Sequence, residues 1–345
     1  MSGVSAASLS LDDHTAGPLA LDDAVTALCW IGDELFVGLA NGSVLRIQNQ
    51  QIIRQYWLHE AEVTALEAGP EPGTVLSAGT DGVLQLWEAD SGDFDWILLR
   101  SDRWINQLAV QRKHGLIAAA SGKRVVIWRN REQLQDWSGH ASTVDALAWS
   151  PDGSRLASGA YRGVQLFKGK TLEPTPILSF PGATKALAWS ADNNALAAGT
   201  QDGLLQIWQR DPKGKASQMS MRGYATKVQC LSWHGKRRIL ATAGGFEIAL
   251  WDLSPIRRGQ RKPFVIKHHQ RTVVALAYQP LGDWLASADR DGCVAIWDTQ
   301  GRSRLTLDTG AEITQLAWSA DGRRCAVGNR QGVLHWLDIA ALTAR

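Results

Sequence analysis

SAGTDGVLQLW at residues 77–87 returns far along the chain as SADRDGCVAIW at 287–297, with Ser, Asp, Gly and Trp at the same offsets. A serine-led run, an Asp-Gly break and an alternating apolar run ending in Trp predict strand, tight turn and strand, because glycine reaches the positive φ a hairpin turn needs. A phrase written twice predicts a repeated unit, and a repeat governs the whole fold.

The repeat extends along the chain. A first-strand pattern recurs as AVTALCW (24–30), EVTALEA (62–68), WINQLAV (104–110), TVDALAW (143–149), ATKALAW (183–189), KVQCLSW (227–233), TVVALAY (272–278) and EITQLAW (312–318), eight copies in all. Each is followed by a second run and then a third, which closes near Ile47, Trp87, Trp128, Phe167, Trp208, Trp251, Trp297 or Leu337. Successive closures are roughly 40 to 46 residues apart, the period of a four-stranded propeller blade. The fourth strands are read from runs such as IIRQYW (52–57), WILLR (96–100) and PFVIK (263–267). After the eighth triplet no fourth strand is left, whereas PLALDD is spare ahead of the first, so the N-terminal strand is expected to complete the last blade and remove the open edges.

The run SGHASTVDALAWSPDGSRLASGA (138–160), with the pairs Trp251-Asp252 and Trp297-Asp298, resembles the WD-repeat β-propeller family over roughly 19–340. The expected fold is all-β: an eight-bladed propeller of four-stranded antiparallel blades over 17–345, with residues 1–16 as a flexible lead. The resemblance also implies a hydrogen-bonded tetrad in two blades, formed by His59, Ser77, Asp81 and Trp87 and by His269, Ser287, Asp291 and Trp297. Elsewhere only fragments remain, such as His140 with Ser158 and Asp202 with Trp208, and Tyr224 takes the His position of the sixth unit. Although Ser, His and Asp are the ingredients of a hydrolytic triad, a serine on a buried strand once per blade is a clamp, so no catalytic residue is assigned. Trp149, Trp189, Trp233 and Trp318 end first strands and are expected to pack between blades.

Bulk composition agrees with a strand-rich chain. Of 345 residues, 45% are hydrophobic and 20% charged, with 33 Gly and 16 Trp. The formal net charge of +2 supplies no global field toward nucleic acid or anionic membrane. The N-terminus lacks a secretory pattern, and no run approaches the roughly 18 apolar residues of a membrane span. Cys29, Cys230, Cys293 and Cys325 lie in apolar runs without paired spacing and read as reduced core thiols. The expected compartment is the cytoplasm. No metal or cofactor site is expected, because the His and Cys residues show no convergent spacing and no strand-GxGxxG-helix pattern occurs.

The family resemblance places binding on the face carrying the loops before first strands and the turns between second and third strands. There the candidate partner-binding residues are Glu62, Trp104, Tyr161, Lys227, Arg290 and Arg330. Exposed aromatic and Arg side chains on a rigid rim are the usual anchors of an interface. The implied function is a monomeric, non-enzymatic scaffold for partner proteins. Two alternatives stay open: a ligand-binding or hydrolytic channel, and nucleic-acid or acidic-partner binding through the basic run 256–271, with Arg257, Arg258, Arg261, Lys262, Lys267 and Arg271.

Overall fold

The computed structural model describes residues 17–91, 96–129, 131–210, 214–254 and 262–339. The N-terminal lead 1–16 and the basic residues Arg257, Arg258 and Arg261 lie outside these.

The strands form seven antiparallel sheets. The first holds Val25–Ile31, Glu34–Leu39, Ser43–Gln48 and Gln51–Trp57, and the second Val63–Ala68, Thr74–Gly79, Val83–Glu88 and Trp96–Arg100. The third runs from Ile105–Gln111 through Leu116–Ser121 and Arg124–Arg129 to Glu132–Trp137. A six-stranded fourth sheet contains Ala146–Trp149, Arg155–Lys168, Leu178–Trp189, Ala195–Thr200, Leu205–Arg210 and Ala216–Met221. The fifth (Cys230–Trp233 to Phe264–Lys267) and the sixth (Val273–Tyr278 to Ser303–Asp308) have four strands each. In the seventh, Ile313–Trp318, Arg324–Asn329 and Val333–Asp338 are joined by Leu19–Ala20.

This corrects the expected count of eight blades to seven, since two sequence units share the fourth sheet. In several other units an Asp-Gly or Asn-Gly turn separates second and third strands, as at Gly42, Gly82 and Gly292, all with positive φ. AYRGV at 160–164 has no such break. Arg155–Lys168 reverses tightly, with Arg162 at φ 72° and Gly163 at φ 153°, and the Gly169 N–H reaches the Ser154 carbonyl at 2.7 Å. Leu178–Trp189 then runs unbroken from pairing with Gly163 and Val164 to pairing with Ala195–Thr200, which fuses the two units.

The first strands touch one another in a closed circuit, each meeting its sequence neighbours and Ile313–Trp318 returning to Val25–Ile31. The core lies between neighbouring sheets: Ala27, Phe36 and Tyr56 of the first pack with Val63, Leu66 and Trp87 of the second. Each fully buried side chain of this size contributes about 1.5–3 kcal/mol.

A recurrent hydrogen bond fixes one first strand against the next. Trp149 donates its indole N–H to Ala109 O, Trp189 to Ala148 O, Trp233 to Ala188 O and Trp318 to Ala277 O, at 2.9–3.2 Å. Trp30 completes the series across the seam, with 3.1 Å to Ala317 O. These residues therefore bond as well as pack. At the same seam Leu19 pairs with Leu334, Leu21 N–H bonds Gly332 O at 2.7 Å, and Gln315 donates to Thr26 O at 2.8 Å.

Trp30→Phe keeps the ring but strands the Ala317 carbonyl, so urea unfolding should show a loss of about 1–2 kcal/mol. Trp104→Phe, at a rim side chain 66% exposed, should leave the midpoint within about 0.5 kcal/mol of wild type.

Candidate functional site

In the second sheet His59 Nε2 lies 3.0 Å from Ser77 Oγ, and its Nδ1 lies 3.1 Å from both oxygens of Asp81. Trp87 does not complete this network. Its indole nitrogen is buried without a hydrogen-bond partner among the described residues, and its ring packs on Tyr56 and Phe36. In the sixth sheet Trp297 does donate to Ser287 Oγ at 2.8 Å, and Ser287 Oγ meets His269 Nε2 at 2.7 Å.

The carboxylate on His269 is Asp289, at 2.9 Å from Nδ1, and this corrects the assignment of Asp291. The reason lies two residues upstream of the turn aspartate. In the second sheet that position is Gly79, where a Cβ would come within 2.6 Å of both Asp81 Oδ1 and His59 Nδ1, so the glycine leaves room for Asp81. In the sixth sheet Asp289 occupies that room. Its Oδ1 accepts the Asp291 and Cys293 backbone N–H groups, and Asp291 turns outward to pair with Arg271 at 3.0 Å.

The fragmentary units use other partners. His140 bonds Ser158 Oγ at 2.7 Å and the Lys123 carbonyl at 3.2 Å. Tyr224 meets Thr242 Oγ1 at 2.7 Å and accepts from the Trp251 indole at 2.9 Å.

Burial drives the protonation of these groups. It lowers His59 and His269 against the opposing pull of their aspartates, and it lowers His140 to about 4. Ser77, Ser158 and Ser287 are fully buried, so no substrate reaches their hydroxyls. The arrangement is a set of internal clamps, in which each polar group satisfies the next.

The rim is ordered by another repeated bond, from the backbone N–H of each turn residue to the carbonyl ahead of the first strand. Thr80 bonds Glu62, Gln201 bonds Ala183, Arg290 bonds Thr272 and Arg330 bonds Glu312, at 2.8–3.0 Å. The side chains of Arg290 and Arg330 converge on Glu312 at 3.2 and 2.8 Å, which leaves one cation in excess. Trp104 is 66% exposed and lies on a depression of about 610 Å³ with Asp102, Arg103, Asn106, Thr143 and Asp145. Asn106 donates to Val144 O at 2.7 Å, while its Oδ1 is buried without a partner among the described residues. Tyr161 is 49% exposed beside the same loop, its N–H bonded to Ser142 Oγ, with Arg162 over its ring.

Sequence reasoning missed Phe246, in the turn between the second and third strands of the fifth sheet and 49% exposed. Its signal was the pair Gly244-Gly245 where an Asp-Gly turn was expected. In the described part of the basic run, Lys267 pairs with Glu247 and Arg271 with Asp291. The expectation that no metal-ligating groups converge is also corrected: ligand atoms of His269, Asp289 and Cys293 lie within 4.8 Å of one another.

Two predictions follow from the clamps. Asp289→Asn should cost about 2 kcal/mol or more, and Asp291→Asn less than about 0.5 kcal/mol, in denaturant titrations. In the second, the sign comes from the lowered histidines: the unfolded chain takes up protons below pH 6.5 while the folded one resists to about 4 at His140, so melting temperature should fall across that window. Glu67 acts oppositely. Burial pushes its carboxyl up to about 7, so Glu67→Gln should raise the melting temperature at pH 8 and change it little at pH 5.

The WD domain, G-beta repeat model matches residues 131–167, 174–209 and 260–298. The B-type cell cycle switch protein ccs52A of Medicago truncatula is 30% identical over 257 residues, 71% of this chain and 44% of that protein. THO complex subunit 3 of Arabidopsis thaliana is 28% identical over 121 residues, 34% of this chain and 38% of its own length. The chain thus spans less than half of either relative. Among solved structures, the computationally designed Ika8 protein superposes with a TM-score of 0.78 over 93% of this chain and 98% of its own, at 24% identity, a likeness of fold. With matched repeats, a sheet ring and internal clamps in agreement, the chain is a β-propeller that carries WD repeats.

Proposed function

We propose that the chain is a non-enzymatic scaffold that binds partner proteins through the rim around Trp104 and Tyr161. The observation that carries this reading is a contrast of exposure. Every Ser-His-Asp grouping is sealed inside a sheet, whereas Trp104, 66% exposed, lines a depression of about 610 Å³, and Tyr161, 49% exposed, is bonded through its N–H to Ser142, next to Thr143 of the same depression. Aromatic anchors on a rigid support concentrate binding energy, because little ordering entropy is lost when they are covered. The names of the relatives are in keeping with this, one being a subunit of a complex and the other a cell cycle switch protein. The presence of WD repeats supports protein binding in general, and the particular rim is our assignment. A reducing cytoplasmic compartment suits cysteines of which none is paired among the described residues.

The test is quantitative affinity capture with wild type and with Trp104→Ala/Tyr161→Ala. Truncating two anchors should lower recovery of direct partners at least tenfold, equivalent to about 1.4 kcal/mol or more. Full retention by the double variant would place binding elsewhere. Arg290→Ala, which leaves Glu312 paired with Arg330 alone, provides a second point on the same rim.

A further inference from the structure

The second and sixth sheets carry the same clamp, and their differences are instructive. Where the second sheet has Leu58 before its histidine, the sixth has His268; where it has Gly79, the sixth has Asp289; where it has Val83, the sixth has Cys293. All three replacements exchange an apolar or absent side chain for a metal-ligating one, and all three fall around His269. Cys293 Sγ lies 3.9 Å from His268 Nε2, His269 Nδ1 lies 2.9 Å from Asp289 Oδ2, and His269, Asp289 and Cys293 present ligand atoms within 4.8 Å of one another.

We propose that His268, His269, Asp289 and Cys293 form a binding site for a borderline-soft divalent cation, zinc in the first place. Two imidazoles, one thiolate and one carboxylate suit a tetrahedral zinc ion, whose bonds of about 2.0–2.3 Å set its ligand atoms roughly 3.3–3.8 Å apart. The 2.9 Å contact of His269 with Asp289 and the 3.9 Å contact of Cys293 with His268 lie on either side of that range.

The outer shell is already in place. Asp289 Oδ1 is held by the backbone N–H groups of Asp291 and Cys293, which leaves Oδ2 for the cation. Ser287 Oγ stands 2.7 Å from His269 Nε2 and accepts a hydrogen bond from the Nε2–H when Nδ1 turns to the metal. Such partners orient ligands and typically contribute 10- to 100-fold in affinity. His268 packs edge-on to Trp297 at 5.0 Å, which fixes its ring. Proton balance is simple. The thiol of Cys293 gives up its proton to solvent, and His269 stays neutral, its single ring proton moving from Nδ1 to Nε2. Burial together with Asp289 and Asp308 holds that thiol up at about 11 in the metal-free chain, and the same two carboxylates favour a cation.

The experiment uses the whole chain, stripped with a chelator and titrated with Co²⁺ and with Zn²⁺. Cys293→Val and His268→Leu are the informative variants, since each installs the residue that the second sheet already carries, and thermal melting verifies that both fold. Wild type should bind Co²⁺ stoichiometrically with thiolate-to-metal charge-transfer absorption, Cys293→Val should abolish that absorption, and His268→Leu should weaken Zn²⁺ binding at least tenfold in competition with a chromophoric chelator. Absence of the charge-transfer absorption in wild type, or unchanged Zn²⁺ affinity in folded Cys293→Val, would overturn the assignment.

Discussion

The architecture depends on how one sheet is held against the next, and the indole-to-carbonyl bond between adjacent first strands is the element that does this repeatedly. Apolar packing between sheets supplies most of the stabilisation but is non-directional, and it tolerates sliding. A donor at the end of one first strand and an acceptor near the end of its neighbour remove that freedom. At Trp30, Trp149, Trp189, Trp233 and Trp318 the same geometry sets angle and height together. Where Tyr278 stands in place of Trp, its backbone N–H bonds Ser232 Oγ at 2.8 Å, so the contact persists with different chemistry.

Rigid mounting makes the rim usable. Trp104 projects from a short loop and Tyr161 from the reversal within Arg155–Lys168, where neighbouring backbone groups are already bonded to turns or side chains, so little order has to be acquired when a partner covers them. The internal clamps work toward the same end from inside each sheet. They are uneven, with a complete Ser-His-Asp-Trp chain in the sixth sheet, an unbonded Trp87 indole in the second and a Tyr-Thr-Trp version in the fifth.

How much of this was readable follows from the range of each signal. First strands, their terminal tryptophans and the Ser-His contacts at 59–77 and 269–287 were legible because a repeat exposes them by comparison with itself. The choice between Asp289 and Asp291 was not, because both flank the same turn and only the volume vacated at Gly79 shows which of them can reach the histidine. The sheet count failed for a related reason. Periodicity registers units, whereas fusion of two units depends on a reversal at Arg162 and an unbroken run through Gly182, neither of which alters the spacing. The convergence of Cys293 with His269 was hidden because one opens a third strand, the other lies in the loop ahead of a first strand, and the two share no motif.

Seam closure also shapes how the polypeptide reaches this form. Trp30 finds its acceptor on Ala317, 287 positions downstream, and Leu19 finds Leu334 later still. While a ribosome is extending the chain, the first sheet therefore leaves the exit tunnel with one apolar flank bare, including Val25, Leu35 and Leu45, and that flank stays uncovered until the seventh sheet has been synthesised. Sequence separation of this magnitude makes the final docking slow relative to hairpin formation within each sheet.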